Sequence, residues 1–463
     1  MMTSQQQFPK VCVIGAGVAG LAAAKQLHQA GIPFDCYDPR DRVGGIWAYT
    51  EQTGITSAWS SLNMNSPRGT YEFSDYPMPA DFPDFPRHTQ MWEYLNDYVD
   101  HFGFRQHIHL NTAVERLVPH EDGAWSVTIS SGQTLRYDAV VVANGHHNEP
   151  ILPAYAGKFA GGEIHSRDFR HREPYKSKRV LVVGFGNSGS QIAVDVSHTA
   201  QDTFLSMRRG GWLVPHYHLG KPIHKWFSGR DSYLMEKYLP WPLSGIVSTF
   251  FYRLLLGYPE RFGLPKPDHH FGSELITISE NLINRIGDGR IHIKPEVTRV
   301  DGRTVTFNDG SQEAVDEIIY CTGYKLSFPF LDPAVFAAPD NRVRLYQRMF
   351  LPGRPTICFI GALQANAWGF LPIFEIQARL LARYFSGEYA PPTLEQMERE
   401  IERDAQLIAR QFVDSPRNHY MVNGYLYMAD LEQEIKRGAA RARKTGSARW
   451  YGRAALQESA STA

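Results

Sequence analysis

Short runs dominated by apolar residues punctuate the chain at four places: Val11-Cys-Val-Ile14, Ala139-Val-Val-Val-Ala143, Arg179-Val-Leu-Val-Val183 and Glu317-Ile-Ile-Tyr-Cys321. Each is too short for a helix and runs into glycine or a turn, the pattern of a strand covered on both faces of a parallel sheet. Helical periodicity follows two of them, as in Gly20-Leu-Ala-Ala-Ala-Lys-Gln-Leu-His28. Residues 114–137 and 297–315 instead alternate apolar and polar positions around the turn pairs Asp122-Gly123 and Asp309-Gly310, as antiparallel meanders do. The order of glycine turn, meander and Asp-led strand occurs in residues 11–145 and again in 180–323. The predicted fold class is α/β, with two Rossmann-like, doubly wound domains.

The connecting stretches add detail. Residues 66–87 are rich in proline and aromatic residues and read as an ordered, irregular loop. An aromatic-rich insert over about 216–271 exceeds what a plain crossover needs. Within it, Gly245 to Tyr258 is the most apolar segment, yet it is shorter than a spanning helix and carries Arg253. A packed helix is the preferred reading over a membrane-surface helix, because a lysine-rich polar face is missing. Residues 393–410 read as a charged surface helix, and 446–463 as a mobile tail.

A length of 463 residues exceeds what one core supports, which agrees with two units. Lys plus Arg and Asp plus Glu both total 48, so no global field favours nucleic acid, and a small-molecule partner is expected. Cys12, Cys36, Cys321 and Cys358 sit in or beside apolar runs with no metal or redox spacing, which reads as reduced core cysteines in a cytoplasmic protein. The polar N-terminus, Met1 to Lys10, has no signal-peptide pattern. No metal-ligand cluster, catalytic triad or carboxylate pair has fitting spacing.

Chemistry enters through two glycine motifs. In Val13-Ile14-Gly15-Ala16-Gly17-Val18-Ala19-Gly20, Gly15 permits a tight turn, Gly17 lets the backbone approach a pyrophosphate, and Gly20 lets helix and strand pack closely. Asp38 ends the next strand, where an acid accepts hydrogen bonds from an adenosine ribose. The second motif is Val182-Val183-Gly184-Phe185-Gly186-Asn187-Ser188-Gly189. Here the acid's place is taken by Ser206-Met207-Arg208-Arg209, and a guanidinium suits the 2′-phosphate of NADPH. One of the two arginines is expected to be a solvated corner. Two nucleotide sites in one chain point to a flavoprotein, with FAD at the first and a hydride donor at the second.

Between the motifs lies Phe159-Ala-Gly161-Gly-Glu-Ile-His165-Ser-Arg-Asp-Phe169, which resembles the F-x-G-x-x-x-H-x-x-x-[FY] signature of the flavin-containing monooxygenases, class B flavoprotein monooxygenases. Val43-Gly44-Gly45-Ile46-Trp47, Ser61 to Ser66, Tyr320 to Tyr324 with Phe328-Pro-Phe-Leu331, Ile360 to Gln364 and Glu375 to Arg379 resemble further blocks of that family, so all but the last 20 or so residues are covered. The resemblance implies an NADPH domain (171–325) inserted into an FAD domain (1–170 and 326–445), and a soluble bacterial-type enzyme, homodimeric in keeping with the family. It implies FAD contacts from Gly45, Ile46, Trp47, Met64, Asn65, Ser66, Val114 and Gln364, and NADPH contacts from Asn187, Ser188, Ser206 and Arg208. It also implies a C4a-hydroperoxyflavin that gives one oxygen atom of O2 to a nucleophilic small molecule, an amine or sulfide, with Asn65 orienting the reacting groups. The resemblance makes His165 a structural histidine of the linker rather than a base.

Two departures stand out. Asp38 replaces the family's usual glutamate, and Asn144 stands where the family has threonine. A Baeyer–Villiger enzyme is the runner-up, although its linker motif normally ends in Trp followed by Pro or Asp, where this chain has Phe169-Arg170. A two-dinucleotide reductase would need a close cysteine pair, and a non-catalytic flavin regulator would need no second nucleotide site.

Overall fold

The computed structural model describes residues 8–227, 230–366, 369–445 and 450. The expected tail 446–463, apart from Trp450, and the first seven residues of the N-terminal stretch lie outside the described residues.

Two five-stranded parallel sheets organise the chain. The first orders strands Ile357–Phe359, Ala139–Val142, Val11–Ile14, Phe34–Tyr37 and Ile108–His109. The apolar run at Val11–Ile14 is unbroken because both faces are covered. Val11 and Val13 enter a core built with helices Val18–Gln29 and Phe370–Phe385, whereas Cys12 and Ile14 enter a second core with Leu117, Trp125 and Val127 of the first meander. That meander is three antiparallel strands, Val114–Pro119, Trp125–Ile129 and Thr134–Tyr137.

The second sheet repeats the plan, with strands Gly162–His165, Glu317–Tyr320, Arg179–Val183, Asp202–Ser206 and Ile291–Lys294. Val180 and Val182 pack with helix Asn187–Val196, while Leu181 and Val183 pack with the second meander through Val297, Val300, Val305 and Phe307. Strand Gly162–His165, which carries the signature histidine and lies within the stretch 1–170 that the resemblance assigns to the first domain, pairs in this second sheet. Two linkers join the units, and they pair with each other through Tyr324–Lys325 and Glu149–Pro150. Asn144 finds a role here, since its Nδ2 donates to Ser327 O at 2.9 Å across the linkers.

The insert forms a hairpin and short helices on a small core of Trp212, Val214, Ile223, Tyr252 and Phe271. The packed-helix expectation for its apolar segment holds on one face only. Helix Leu243–Leu256 buries Ser244, Gly245 and Tyr252, while Ile246, Phe250 and Leu254 stay 48%, 64% and 67% exposed. Arg253 lies within the helix, stacked 4.7 Å from the Trp212 ring and paired with Glu260 at 2.6 Å. No helix among the described residues is long and apolar enough to cross a membrane. The charged helix runs Leu394–Gln411, capped reciprocally by Thr393 and Gln396, and buries only Met397 and Ile401.

Candidate active site

At the C-terminal end of the first sheet, the chain turns at Gly15 with φ of +106°, and a Cβ there would stand 2.5 Å from the carbonyl oxygen of Ala143. Only glycine accepts both the left-handed backbone and the approach. Gly17 caps the helix Val18–Gln29 without a side-chain cap, so the first amides on the cavity wall suit an anion. A Cβ on Gly20 would stand 1.7 Å from Gly15 O, so this residue sets how closely helix and turn pack from behind the cavity wall. Asp38 is buried at 1% exposure and is fastened to the same loop: it accepts from Ala16 N–H at 2.8 Å and from Arg40 N–H at 2.9 Å. The shorter acid is thus held against the backbone, with lone pairs left for a ligand.

The second sheet repeats the arrangement. Gly184 has φ of +112° and a would-be Cβ 2.5 Å from Cys321 O, and a Cβ on Gly189 would lie 1.9 Å from Gly184 O. Asn187 spends its Oδ1 on Ile278 N–H at 2.8 Å, and the Ser206 hydroxyl donates to Pro295 O at 2.7 Å. Arg209 is not the solvated corner expected of one of the pair, since it is tied to Glu274 at 2.8 Å, whereas Arg208 is exposed on the cavity wall with no hydrogen bond or ion pair among the described residues. Ser188 lines the wall one residue into the helix.

Both cradles open into one cavity of about 880 Å³. Gly45, Ile46, Trp47, Met64, Asn65, Ser66 and Gln364 line its first half, and Gly184, Gly186, Asn187, Ser188, Ser206 and Arg208 its second. Val114 departs from expectation. It opens the first strand of the meander, packs against the core beneath, and is not on the cavity wall. Gly20 and Gly189 are also off the wall, as their packing role requires. Two turns that a Cβ would fill, each at a helix N-terminus, fit two dinucleotides. His165 is 5% exposed, and its Nδ1 accepts from Arg167 N–H at 3.1 Å, so it serves as a cap on the linker. Burial pushes it down to about 4, and His146 likewise, so both rings are neutral at physiological pH.

Sequence reasoning missed several wall residues, among them Arg417, His146 and His147. Arg417 comes from the C-terminal segment and hangs over the second cradle, 3.5 Å from where a Cβ of Gly186 would be, with no hydrogen bond or ion pair among the described residues. His146 and His147 sit between the cradles with ring centroids 4.3 Å apart. Their place just after the Asn144-Gly145 turn is a readable signal, because a turn at a strand's C-terminal end delivers its next residues to the site. Nothing local marks Arg417.

The model of the family described as flavin-binding monooxygenase-like matches residues 8–440. The chain is 36% identical over 430 residues to flavin-containing monooxygenase 5 of Oryctolagus cuniculus, covering 88% of this chain and 79% of the relative. It is 32% identical over 448 residues to dimethylaniline monooxygenase (N-oxide-forming) 2 of Rattus norvegicus, covering 92% and 82%. Among solved structures, the S-allyl-L-cysteine S-oxygenase of Allium sativum superposes with a TM-score of 0.69 at 23% identity, over 99% of this chain and 100% of that one. A cyclohexanone monooxygenase superposes with a TM-score of 0.71 at 17% identity, over 93% and 98%. Those two structural likenesses establish the fold, and the sequence matches establish the lineage: this chain belongs to the flavin-binding monooxygenase family of oxidoreductases.

Proposed function

We propose that the protein consumes NADPH and O2 to place one oxygen atom on the nitrogen or sulfur of a small nucleophile, with FAD over the first sheet and NADPH over the second. The observation that carries this reading is the single cavity joining the two cradles, with Asn65 on its wall. When bound, FAD supplies the oxygen-activating chemistry and NADPH the hydride. The chain's own part is to bind, orient and keep water out. The helix N-termini after Gly17 and Gly186 take the pyrophosphates, Arg208 takes the 2′-phosphate, and Arg417 adds positive charge over the second cradle. Asn65 offers an amide that hydrogen-bonds without titrating, and no ionised base is required of the protein.

The founding experiment is to purify the protein with FAD, add NADPH without oxygen and follow flavin bleaching. Oxygen is then admitted with a sulfide, a tertiary amine or a cyclic ketone. Oxygenation of sulfide and amine in preference to ketone is the expected result; bleaching by NADPH without any oxygenated product would leave only a reductase.

Two residue-level outcomes follow from the geometry. Arg208→Ala is expected to raise KM for NADPH about tenfold, the worth of one charge-assisted hydrogen bond, while KM for NADH stays within about twofold. Equal changes for both cofactors would assign Arg208 to solvent. Asn65→Ala is expected to keep FAD and the rate of NADPH oxidation within about threefold while most of the oxygen consumed leaves as hydrogen peroxide. An unchanged ratio of product to NADPH would remove Asn65 from the proposed machinery.

A further inference from the structure

Asn65 does not stand alone on the cavity wall. Its Oδ1 accepts a hydrogen bond from Gln191 Nε2, which belongs to the helix of the second cradle. One turn further along that helix, Asp195 Oδ2 accepts from the hydroxyl of Ser61 at 2.9 Å, and Asp195 Oδ1 is held by Arg172 at 3.1 Å. Gln191 and Asp195 are four residues apart and share one helical face. They grip Asn65 and Ser61, themselves four apart on the facing segment. The second unit therefore latches the Asn65 segment at two points.

The chemistry of the first bond has a direction. An asparagine amide has one oxygen that accepts and one nitrogen that donates twice. With the oxygen engaged by Gln191, the nitrogen is left over, and Asn65 Nδ2 has no partner among the described residues. We infer that Gln191 is a positioning residue, which turns the Asn65 amide so that N–H donors, and not the carbonyl, are offered to a ligand in the cavity. The inference rests on the cofactor reading above. Gln191 also sits one turn after the glycine loop that cradles the second dinucleotide, so the donor set at Asn65 is held by the helix that binds the hydride source.

The test uses Gln191→Met, which removes the bond at similar size, and Gln191→Glu, whose carboxylate can only accept and would turn the Asn65 carbonyl toward the cavity. Thermal midpoints of the single variants, of Asn65→Ala and of Asn65→Ala/Gln191→Met read the latch without any nucleotide. The midpoint shifts of the double variant are expected to fall short of the sum of the singles. In the FAD-loaded protein, the visible difference spectrum evoked by NADP+ is expected to change in Gln191→Met. The hydrogen peroxide released per NADPH is expected to rise at least fivefold there, to rise at least as far in Gln191→Glu, and to rise no further when Gln191→Met is added to Asn65→Ala. KM for NADPH is expected to stay within twofold in both Gln191 variants.

Additive midpoint shifts would overturn the latch. A latch that is present, with peroxide release and spectrum unchanged, would overturn the positioning role. Failure of the cofactor reading looks different, since the wild-type protein itself would then hold no FAD or show no bleaching by NADPH. If Gln191→Met does not fold, Gln191→Glu carries the comparison, and its predicted excess of peroxide decides.

Discussion

Gly20→Ala is expected to give protein that retains no FAD and unfolds at a markedly lower temperature, if it accumulates at all. The added methyl would lie 1.7 Å from the carbonyl oxygen of Gly15, and both partners are backbone, so no rotamer change relieves the clash. Either the helix Val18–Gln29 lifts from its strand or the turn opens. Overpacking that merely shifts side chains costs about 1–3 kcal/mol, and this collision belongs above that range. Against a total stability of order 5–15 kcal/mol, such a loss is felt by the whole chain. Gly17→Ala supplies the contrast: its Cβ would meet Gly45 Cα at 3.4 Å, an ordinary contact, so the fold survives and the loss falls on the pyrophosphate. Visible absorbance of the purified variants and their thermal midpoints separate the two. Full flavin occupancy in Gly20→Ala would contradict the packing derived for the first cradle.

The second large effect is expected at Arg170. This side chain is 6% exposed, and its two terminal nitrogens donate to carbonyl oxygens instead of a carboxylate, while its buried Nε has no partner among the described residues. Its Nη1 donates to Arg167 O at 2.8 Å and Phe169 O at 3.0 Å, and its Nη2 to Gln52 O at 2.9 Å and Thr56 O at 3.0 Å. One fork thus stitches the linker after strand Gly162–His165 to the loop 52–58, whose Ser57 lines the cavity. Arg170→Met fills a comparable volume and strands the carbonyls, at about 3 kcal/mol or more. For a chain of this size that corresponds to a fall of about 3 °C or more in the thermal midpoint, together with faster flavin loss. Lysine should not rescue, because a point charge cannot reproduce the planar fork. A midpoint within 2 °C of the parent would refute the stitch.

What could be read from residues alone follows a physical boundary. The cradles were legible because Gly15, Gly17 and Gly20 act within one strand-turn-helix unit, and because the apolar runs report coverage on both faces of a sheet. The meanders were legible from their alternation. The ion pair that takes Arg209 out of solvent was illegible locally, because it depends on Glu274, far along the chain. Gln191, Arg417 and the acceptors of Arg170 were illegible, since each acts on a partner brought near only by the tertiary fold. Val114, named from the family resemblance alone, lies off the cavity wall, because a matched position does not say which way its side chain turns. The helix Leu243–Leu256 was recognised as a helix, but periodicity across its small and aromatic residues did not reveal that one face would stay uncovered.

The arrangement of the first sheet bears on how the chain is made. Strand Ile357–Phe359 closes its edge beside Ala139–Val142, after the whole of the second sheet has been read out. During synthesis the later unit therefore has all of its strands before the earlier one does, and strand Ala139–Val142 must wait with one edge unpaired. A chain exposed only as far as about residue 330 would hold every strand of the second sheet and lack one of the first, so capture of the flavin becomes one of the last events in maturation.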